Sequence, residues 1–416
     1  MVPNGWEVKS LSSITKWSSG GTPSKNNPDY WNGEIPWISA ASMRGHYFEK
    51  SELRITDLAV GNGAKMAPKD SLLLLVRGSM LWNKIPVGIT AKKVSFNQDV
   101  KCLVPHADEL TTEFLLYWFL TYEHRLMNMV TGTGIGAGKL DTSDLQSLDV
   151  FLPPLPEQRK IAQILSTWDR GIATTEKLID ASKQQKKALM QQLLTGKKRL
   201  GCAEGTYTFK KTRYGSIPTD WAYPAIKDIA VQKSEKNNEG LDLPVLSCSK
   251  YDGFVDSLKY FKKKVYSDDT SGYRIISKGC FGFPANHIEE GSIGLQNLYE
   301  KGIVSPIYVV FQAKKDLVEN RYLYALLKTD HYRQIFSAAT NASVDRRGSL
   351  RWKEFSAIHV SLPPLEEQKA IADVLELADK ETKLLEAKLA HLKQEKKALM
   401  QQLLTGKRRV KVNEVA

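Results

Sequence analysis

Apolar positions recur every three or four residues in two long stretches of the chain, a pattern that predicts two amphipathic helices of unusual length. The first stretch begins after Pro153-Pro154 and ends before Gly196, and the second begins after Pro363-Pro364 and ends before Gly406. Prolines followed by acidic residues are typical of helix starts, and a glycine followed by Lys and Arg is typical of helix ends. Each stretch predicts about 40 residues of unbroken helix, roughly 60 Å long at 1.5 Å per residue.

The apolar positions of each predicted helix form one seam with an average spacing of 3.5 residues, as in a coiled coil. The predicted helix-helix seam consists of Leu165, Trp168, Ile172, Ile179, Leu189 and Leu193 in the first helix and Leu375, Leu385, Leu389, Leu392, Leu399 and Leu403 in the second. A short helix with such a seam would simply cover its own globular neighbour. The great length and the matching polar interruptions at Lys186 and Lys396 favour pairing of the two helices. We predict antiparallel pairing, which brings the chain termini near each other.

The two predicted helices belong to an internal repeat. Residues 152–199 recur at 362–409 without insertion or deletion, and Lys186 to Lys197 is identical to Lys396 to Lys407. A displacement of 210 residues is too long for a solenoid or propeller repeat. The chain therefore consists of two similar halves with approximate two-fold symmetry. Identical helices are expected when both copies present one surface to two copies of a partner, and recent gene duplication is the alternative explanation.

Each predicted helix follows a variable globular body. Runs rich in β-forming residues alternate with loops and precede a short amphipathic helix in both bodies; the runs are 71–76, 101–105 and 302–312, and the helices are 112–126 and 319–336. Both bodies also begin alike, with Pro3-Asn4-Gly5-Trp6 and Pro218-Thr219-Asp220-Trp221. We predict a mixed α/β fold: two globular domains separated by two long helices that pair as an antiparallel coiled coil with pseudo-two-fold symmetry.

These patterns place the domain boundaries at the ends of the predicted helices. Residues 1–152 form the first globular domain and 153–199 the first long helix. Residues 200–362 form a linker and the second globular domain, and 363–416 form the second long helix and a basic tail.

The charge balance narrows the choice of partner. The 416 residues carry a formal net charge of +13, which favours a polyanion, with nucleic acid ahead of a membrane surface. No apolar run approaches the roughly 20 residues that span a bilayer, and the first residues lack the pattern of a secretory signal. The four cysteines are scattered without metal-binding spacing, which is typical of reduced thiols. We expect a cytoplasmic nucleic-acid-binding protein with no membrane partner.

Candidate DNA-binding residues are basic or amide side chains in glycine-rich or polar loops. They are Arg44, Arg77, Lys92, Lys93 and Lys139 in the first body and Lys250, Lys262, Lys263, Asn286, Arg346 and Arg347 in the second. Arginine and amide side chains can bond base edges in pairs, whereas lysines mostly hold phosphates. For any single one of these residues, a solvated surface charge is the alternative.

The segments that could suggest a catalytic motif do not match the pattern that the chemistry requires. Asn27-Pro28-Asp29-Tyr30 lacks the second proline of the box with which adenine methyltransferases hold their target, and Asn-Pro is a common turn dipeptide. The loop Gly132 to Gly138 does not join a buried strand to a helix, and Lys139 is followed by Leu140, so no Walker motif is present. The seven histidines show no metal-spaced pair. We predict no catalytic residue and no metal site.

The chain resembles the specificity subunit of Type I restriction-modification enzymes over essentially its whole length. The resemblance is carried by twin Leu-Pro-Pro-Leu-x-Glu-Gln boxes at 152–158 and 362–368, each opening a helix that ends in Leu-Leu-Thr-Gly-Lys. The first body adds Ile35-Pro36-Trp37-Ile38, then 72–78, then Asn97-Gln98, in the order of a target recognition domain. The second body departs from this order, with Leu243 to Leu246 for the first element and Ser305-Pro306 in place of Asn-Gln, which indicates a different subgroup.

The resemblance implies two target recognition domains that each read half of a bipartite double-stranded DNA site, with the paired helices as a spacer of fixed length. Two modification (methyltransferase) subunits and the restriction (ATP-dependent translocase and nuclease) subunits would be the partners. S-adenosylmethionine, ATP and Mg are then expected on those subunits, and this chain would bind no cofactor. Two other classes remain open at this point: a methyltransferase or nuclease with its own catalytic site, and a basic coiled-coil scaffold.

Overall fold

The computed structural model describes residues 2–134, 136–203, 205–341 and 349–412. The chain divides into two compact units: unit 1 comprises Met1–Lys177 and Glu386–Ala416, and unit 2 comprises Leu178–Leu385. Each unit therefore combines one globular body with part of each long helix.

Unit 1 is built from short strands around a buried sheet. Its strands are β1 (Glu7–Ser10), β2 (Thr15–Ser19), β3 (Trp31–Ile38), β4 (Tyr47–Phe48), β5 (Arg54–Ile55), β6 (Lys65–Ala67), β7 (Leu72–Leu75), β8 (Arg77–Gly78), β9 (Val87–Thr90), β10 (Val94–Phe96), β11 (Val100–Pro105), β12 (Thr131–Gly132), β13 (Gly138–Lys139) and β14 (Asp149–Leu152). They form sheets of order β2-β11-β7-β9-β4, β5-β3-β10-β6, β12-β13-β8 and β1-β14. All four leucines of β7 are buried because this central strand is covered on both faces.

Unit 2 has a related arrangement of shorter sheets. Its strands are β15 (Phe209–Thr212), β16 (Gly215–Pro218), β17 (Ala230–Lys233), β18 (Leu246–Ser249), β19 (Gly253–Asp256), β20 (Arg274–Ser277), β21 (Phe281–Pro284), β22 (Gly294–Leu295), β23 (Lys301–Val304) and β24 (Tyr308–Ala313). They form sheets of order β17-β24-β21-β22, β15-β16, β18-β19 and β20-β23. The predicted single run 302–312 is wrong, because Ser305-Pro306 turns the chain between β23 and β24 and Pro306 has no N–H for a strand ladder.

The helices of the chain are α1 (Thr112–Thr121), α2 (Glu123–Met127), α3 (Thr142–Gln146), α4 (Leu155–Leu193), α5 (Ile226–Ile229), α6 (Ser257–Phe261), α7 (Asn320–Leu327), α8 (Asp330–Asn341), α9 (Trp352–Ser356) and α10 (Leu365–Leu403). The predicted helices 112–126 and 319–336 are each split in two. Tyr122 leaves helical geometry with φ −94° and ψ 10°. In the second body the Thr329 hydroxyl accepts from the Tyr332 backbone N–H and starts a new helix.

The long helices α4 and α10 end at the predicted glycines. Gly196 and Gly406 both have φ +69°, a left-handed conformation that glycine adopts without strain. A Cβ at Gly196 would overlap the ring of Pro218, and one at Gly406 would overlap the ring of Pro3. The short match between the two body starts thus has a structural reason, since each proline packs on the glycine that ends a long helix.

In unit 1 the first part of α4 pairs with the last part of α10. The Lys396 Nζ atom lies 2.5 Å from Asp169 Oδ1, and Lys393 Nζ lies 2.7 Å from Glu176 Oε1. Residue numbers rise along one helix as they fall along the other, so the pairing is antiparallel.

The equivalent pairing occurs inside unit 2. Lys186 Nζ lies 2.5 Å from Asp379 Oδ1, and the hydroxyls of Ser182 and Thr382 lie 2.9 Å apart. The Lys186–Asp379 pair is the Lys396–Asp169 pair displaced by 210 residues. The predicted antiparallel pairing is confirmed within each unit.

All predicted seam residues are buried or half-buried. Leu165 and Leu403 belong to the hydrophobic core of unit 1, and Leu193 and Leu375 belong to that of unit 2. The start of α4 and the end of α10 therefore cover the globular body of unit 1, and the end of α4 and the start of α10 cover that of unit 2. Each helix covers the body that precedes it only at its start, and polar and ionic contacts between the helices lie further along.

Candidate nucleic-acid interface

A buried carboxylate at the start of each long helix holds the globular body of that unit in place. In unit 1, Glu157 accepts from Trp6 Nε1 at 3.1 Å and from the Arg409 guanidinium at 2.8 and 2.7 Å. The Arg409 guanidinium also lies 5.6 Å from the centre of the Trp6 ring. We call this set the Glu-Arg-Trp clamp.

Unit 2 contains the same clamp. Glu367 accepts from Trp221 Nε1 at 3.2 Å and from Arg199 at 2.9 and 2.6 Å. Arg199 also donates to Asp220 at 2.7 Å. The hydrogen bond to Glu367 is the main cause that raises the pKa of Arg199 above its ordinary value. Sequence reasoning missed the clamp, although the recurrence of Glu, Arg and Trp in both halves was a signal for it.

The glutamine that follows each clamp carboxylate ties the helix to the loop before the first helix of the body. Gln158 Nε2 donates to the Glu109 carbonyl at 2.7 Å, and its Oε1 accepts from the Thr111 N–H at 2.9 Å. Gln368 makes the same two contacts, to the Leu317 carbonyl at 3.0 Å and from the Glu319 N–H at 2.9 Å. Clamp and glutamine together orient the loops of each body relative to the helices of its own unit.

Arg77 and Lys139 are the two candidates that strand pairing brings together. They face each other across β8 and β13, next to the turn that closes the glycine-rich loop. Arg77 is exposed and has no ion-pair partner among the residues that the structure describes. Lys139 Nζ lies 3.3 Å from Asp141. Hydrogen bonds from Ser143, and then from Lys139, lower the pKa of Asp141 to about 2. Arg77 is therefore free to contact a ligand, whereas the neighbouring Lys139 is already paired with Asp141.

Asn286 occupies in unit 2 the position that Arg77 has in unit 1. Leu140 N–H bonds the carbonyl just before Arg77, and Leu350 N–H bonds the carbonyl just before Asn286, at 2.9 and 2.8 Å. Asn286 Oδ1 is buried without a hydrogen-bond partner among the described residues. The same point of the body thus carries an arginine in one unit and an amide in the other, and both can bond base edges.

The remaining unit 1 candidates lie in separate exposed turns. Lys92 and Lys93 lie between β9 and β10, and Arg44 follows a short turn at 40–42. Arg44 lines a groove of about 420 Å³ together with Lys50 and Ser39. Free lysines in exposed turns suit phosphate contacts.

The remaining unit 2 candidates are also exposed. Lys250 lies in the β18–β19 turn, 5.6 Å from the centre of the Tyr251 ring, and that ring is 83% exposed. Lys262 ends α6 with φ +54°, and Lys263 follows it. Arg346 and Arg347 lie outside the described residues.

The motifs considered for catalysis are turns in the structure. The Asn27 side chain accepts from the Asp29 N–H at 3.1 Å and starts a single helical turn. The segment Gly132 to Gly138 connects β12 to β13. One possible metal-ligand atom from each of His287, Glu289 and Glu290 lies within 4.8 Å of the others, which the sequence did not predict. Exposed acidic groups of this kind are common without a metal.

A family model for the Type I restriction modification DNA specificity domain matches residues 3–183 and 218–394. The chain therefore belongs to this family, whose members recognise the DNA target of Type I restriction-modification systems. Among the described residues, no helix combines the length and apolar character needed to cross a membrane.

Similar proteins match either nearly the whole chain or a part of it. The MjaVIII specificity subunit of Methanocaldococcus jannaschii is 28% identical over 99% of this chain and 94% of that protein. The EcoR124I/EcoR124II specificity subunit of Escherichia coli is 33% identical over 39% of this chain and 41% of that protein. The S subunit from M. genitalium has the same fold, with a TM-score of 0.54 and 16% identity over 97% of this chain and 99% of that one.

Proposed function

We propose that the chain reads a bipartite duplex DNA site, one half-site for each globular body, and that the paired helices set the gap between the halves. One observation carries the proposal: both units repeat the Glu-Arg-Trp clamp, whereas the candidate base-reading position holds Arg77 in one and Asn286 in the other. A DNA site with two different half-sites requires two domains that are held in the same way but carry different base-contacting residues.

The two candidate residues differ in charge, because Arg77 is positive and Asn286 is neutral. Arg77 can bond the O6 and N7 acceptors of guanine in pairs, whereas the Asn286 amide suits N6 and N7 of adenine if DNA binding exposes its buried Oδ1. The exposed lysines Lys92, Lys93, Lys262 and Lys263 are proposed to hold phosphates. With several such contacts, the logarithm of the affinity should fall steeply with the logarithm of the salt concentration.

We further propose that two modification subunits dock on the two identical helix segments. Lys187, Gln191 and Gln192 are exposed in the first copy, and Lys397, Gln401 and Gln402 are exposed in the second. Two equal surfaces fit two copies of one partner. Restriction subunits complete the assembly, and S-adenosylmethionine, ATP and Mg belong to these partners rather than to this chain.

The test lengthens both helices without disturbing either unit. One heptad is inserted between Lys177 and Leu178 and another between Leu385 and Glu386, the points where the units divide. Seven residues add about 10 Å of helix, close to three base pairs of duplex. Methylation mapping with the partner subunits present should show a longer gap between unchanged half-sites. A heptad in α4 alone is the control and should abolish assembly by shifting the seam out of register.

Altered half-site bases at an unaltered gap would overturn the proposal. Two simpler measurements exclude the rival functions. The purified chain alone, with labelled S-adenosylmethionine and DNA, should transfer no methyl group. It should also prefer a duplex with the mapped split site over a random duplex, which a coiled-coil scaffold would not.

A further inference from the structure

Unit 2 contains a largely apolar cavity beside the helix surface that is proposed above for subunit docking. Its volume is about 400 Å³, within the range of small-molecule sites. Met190 of α4 and Leu194, which follows α4, form one wall, Leu326 and Tyr332 form a second, and Ile217 and Tyr223 form a third. Lys187, Asp330 and His331 lie among the polar lining residues.

The internal repeat identifies the residues of unit 1 that correspond to two of these lining positions. The glutamine contacts to Thr111 and Glu319 align α1 with α7, so that Trp118 corresponds to Leu326 and Tyr122 corresponds to Asp330. The rings of Trp118 and Tyr122 lie 5.0 Å apart. Unit 1 therefore has an indole and a phenol where unit 2 has a smaller apolar side chain and an exposed carboxylate.

The burial of the repeated helix agrees with this difference. Met400 and Leu404 belong to the same core cluster as Trp118, and Met400 is only 8% exposed. Met190, the identical residue of the other copy, is half-buried and lines the cavity. The same helix sequence is thus fully packed in one unit and faces an open space in the other.

The Tyr223 side chain is part of a fixed wall. Its hydroxyl is buried, and burial raises its pKa, while hydrogen bonds with the Thr212 side chain and the Tyr214 backbone counteract that rise. The Tyr223 ring itself stacks on His359 with ring centres 5.2 Å apart, which holds this wall in place.

We propose that this aromatic pocket, lined by Met190, Leu194, Ile217, Tyr223, Leu326 and Tyr332, binds a small planar aromatic molecule of one or two rings. The ring lies beside Leu326, the position that corresponds to Trp118 of unit 1, between Met190 and Leu194 and the tyrosines opposite. Cavities lined by apolar side chains bind such rings when the size matches.

Indole is the probe, and the full chain is labelled with 13C at its methionine methyl groups. Ring currents should move the Met190 methyl resonance saturably on titration with indole, with one site per chain, and leave the Met400 resonance in place. Met190 and Met400 lie in identical sequence, so each is a control for the other.

Two variants fill the pocket with the side chains of unit 1. Leu326→Trp and Asp330→Tyr should each weaken indole binding at least tenfold while the DNA affinity stays unchanged. The reciprocal Trp118→Leu should make the Met400 resonance respond as well. A Met190 resonance that does not move, equal movement of Met190 and Met400 in the unaltered chain, or full binding by a folded Leu326→Trp variant would each overturn the proposal.

Discussion

Units 1 and 2 use the same clamp in different surroundings. Arg409 of unit 1 is 42% exposed at its side chain, whereas Arg199 of unit 2 is 7% exposed. Arg199 lies just after α4, Asp220 forms a second ion pair with it, and the Tyr207 ring lies 5.6 Å away. The repeat therefore determines which residues meet, while the neighbouring chain determines how far their charges are removed from water.

The helix seam shows a second difference between the units. Unit 2 has the hydrogen-bonded hydroxyls of Ser182 and Thr382, whereas the positions displaced by 210 residues in unit 1 are Leu392 and Ile172. A buried polar pair specifies register at some cost in stability, and an apolar pair does the opposite. The helix seam thus favours stability in unit 1 and specificity of register in unit 2.

Removal of a clamp carboxylate should produce the largest difference in stability between the two units. Glu367→Ala leaves the Arg199 charge buried with Asp220 as its remaining ion-pair partner, and we expect a loss of about 3 kcal/mol in the free energy of unfolding unit 2. Glu157→Ala leaves a solvated Arg409, and we expect about 1.5 kcal/mol in unit 1. Hydrogen exchange measured separately on peptides of each unit checks this. Equal losses in both units would contradict the role given to burial.

The two candidate reading positions should differ in the half-site that they specify. Arg77→Ala should weaken binding about 10- to 100-fold and relax the preference for guanine in its half-site, with the salt slope nearly unchanged because the slope follows phosphate contacts. Asn286→Ala should weaken binding to a similar extent and relax the preference in the other half-site. Fluorescence anisotropy over a salt series, on duplexes with single base changes in each half-site, measures both. Unchanged affinity in either variant would remove that residue from the interface.

The two lysine–aspartate pairs of the helices should differ in how much they contribute to stability, because one of them has additional contacts. Asp169 accepts from Lys396 and, at 2.8 Å, from the Tyr117 hydroxyl, and the Lys396 side chain is only 13% exposed. We expect Asp169→Ala to cost about 1.5 kcal/mol. Asp379→Ala, whose partner Lys186 is more exposed, should cost about 0.5 kcal/mol. Hydrogen exchange measured separately for each unit gives the two stability losses. A larger loss for Asp379→Ala than for Asp169→Ala would contradict the role of the additional contacts.

Exchange of the polar seam layer should produce a smaller effect than the loss of Asp169, and the double exchange should act in the opposite direction. Ser182→Leu combined with Thr382→Ile gives unit 2 the residues of unit 1 and should raise its stability by about 1 kcal/mol. Thr382→Val alone leaves the Ser182 hydroxyl without its partner and should lower stability by about 1 kcal/mol. Urea unfolding of both variants is the measurement. Destabilisation by the double variant would show that the apolar layer needs other neighbours of unit 1.

The long helices were predictable because their signals are local. Prolines, acidic first turns, seam spacing and the glycine stops all lie within the segments that they shape, and the bounds of α4 and α10 follow them closely. The short helices of the bodies were less predictable. Tyr122 breaks its helix through a backbone geometry that no residue type at that position requires.

The sequence by itself determined the two-fold repetition, the antiparallel partners and the family, since these depend on periodicity and on motifs repeated at one displacement. Only the tertiary structure decided that Glu157, Trp6 and Arg409 meet, because Trp6 and Arg409 are 403 residues apart (409 − 6) and long-range contact leaves no local pattern. It also decided that Arg77 and Asn286 occupy one equivalent position and that Met190 faces a cavity while Met400 does not. Those outcomes depend on the volume of side chains that pack from distant segments, which a reading along the chain does not contain.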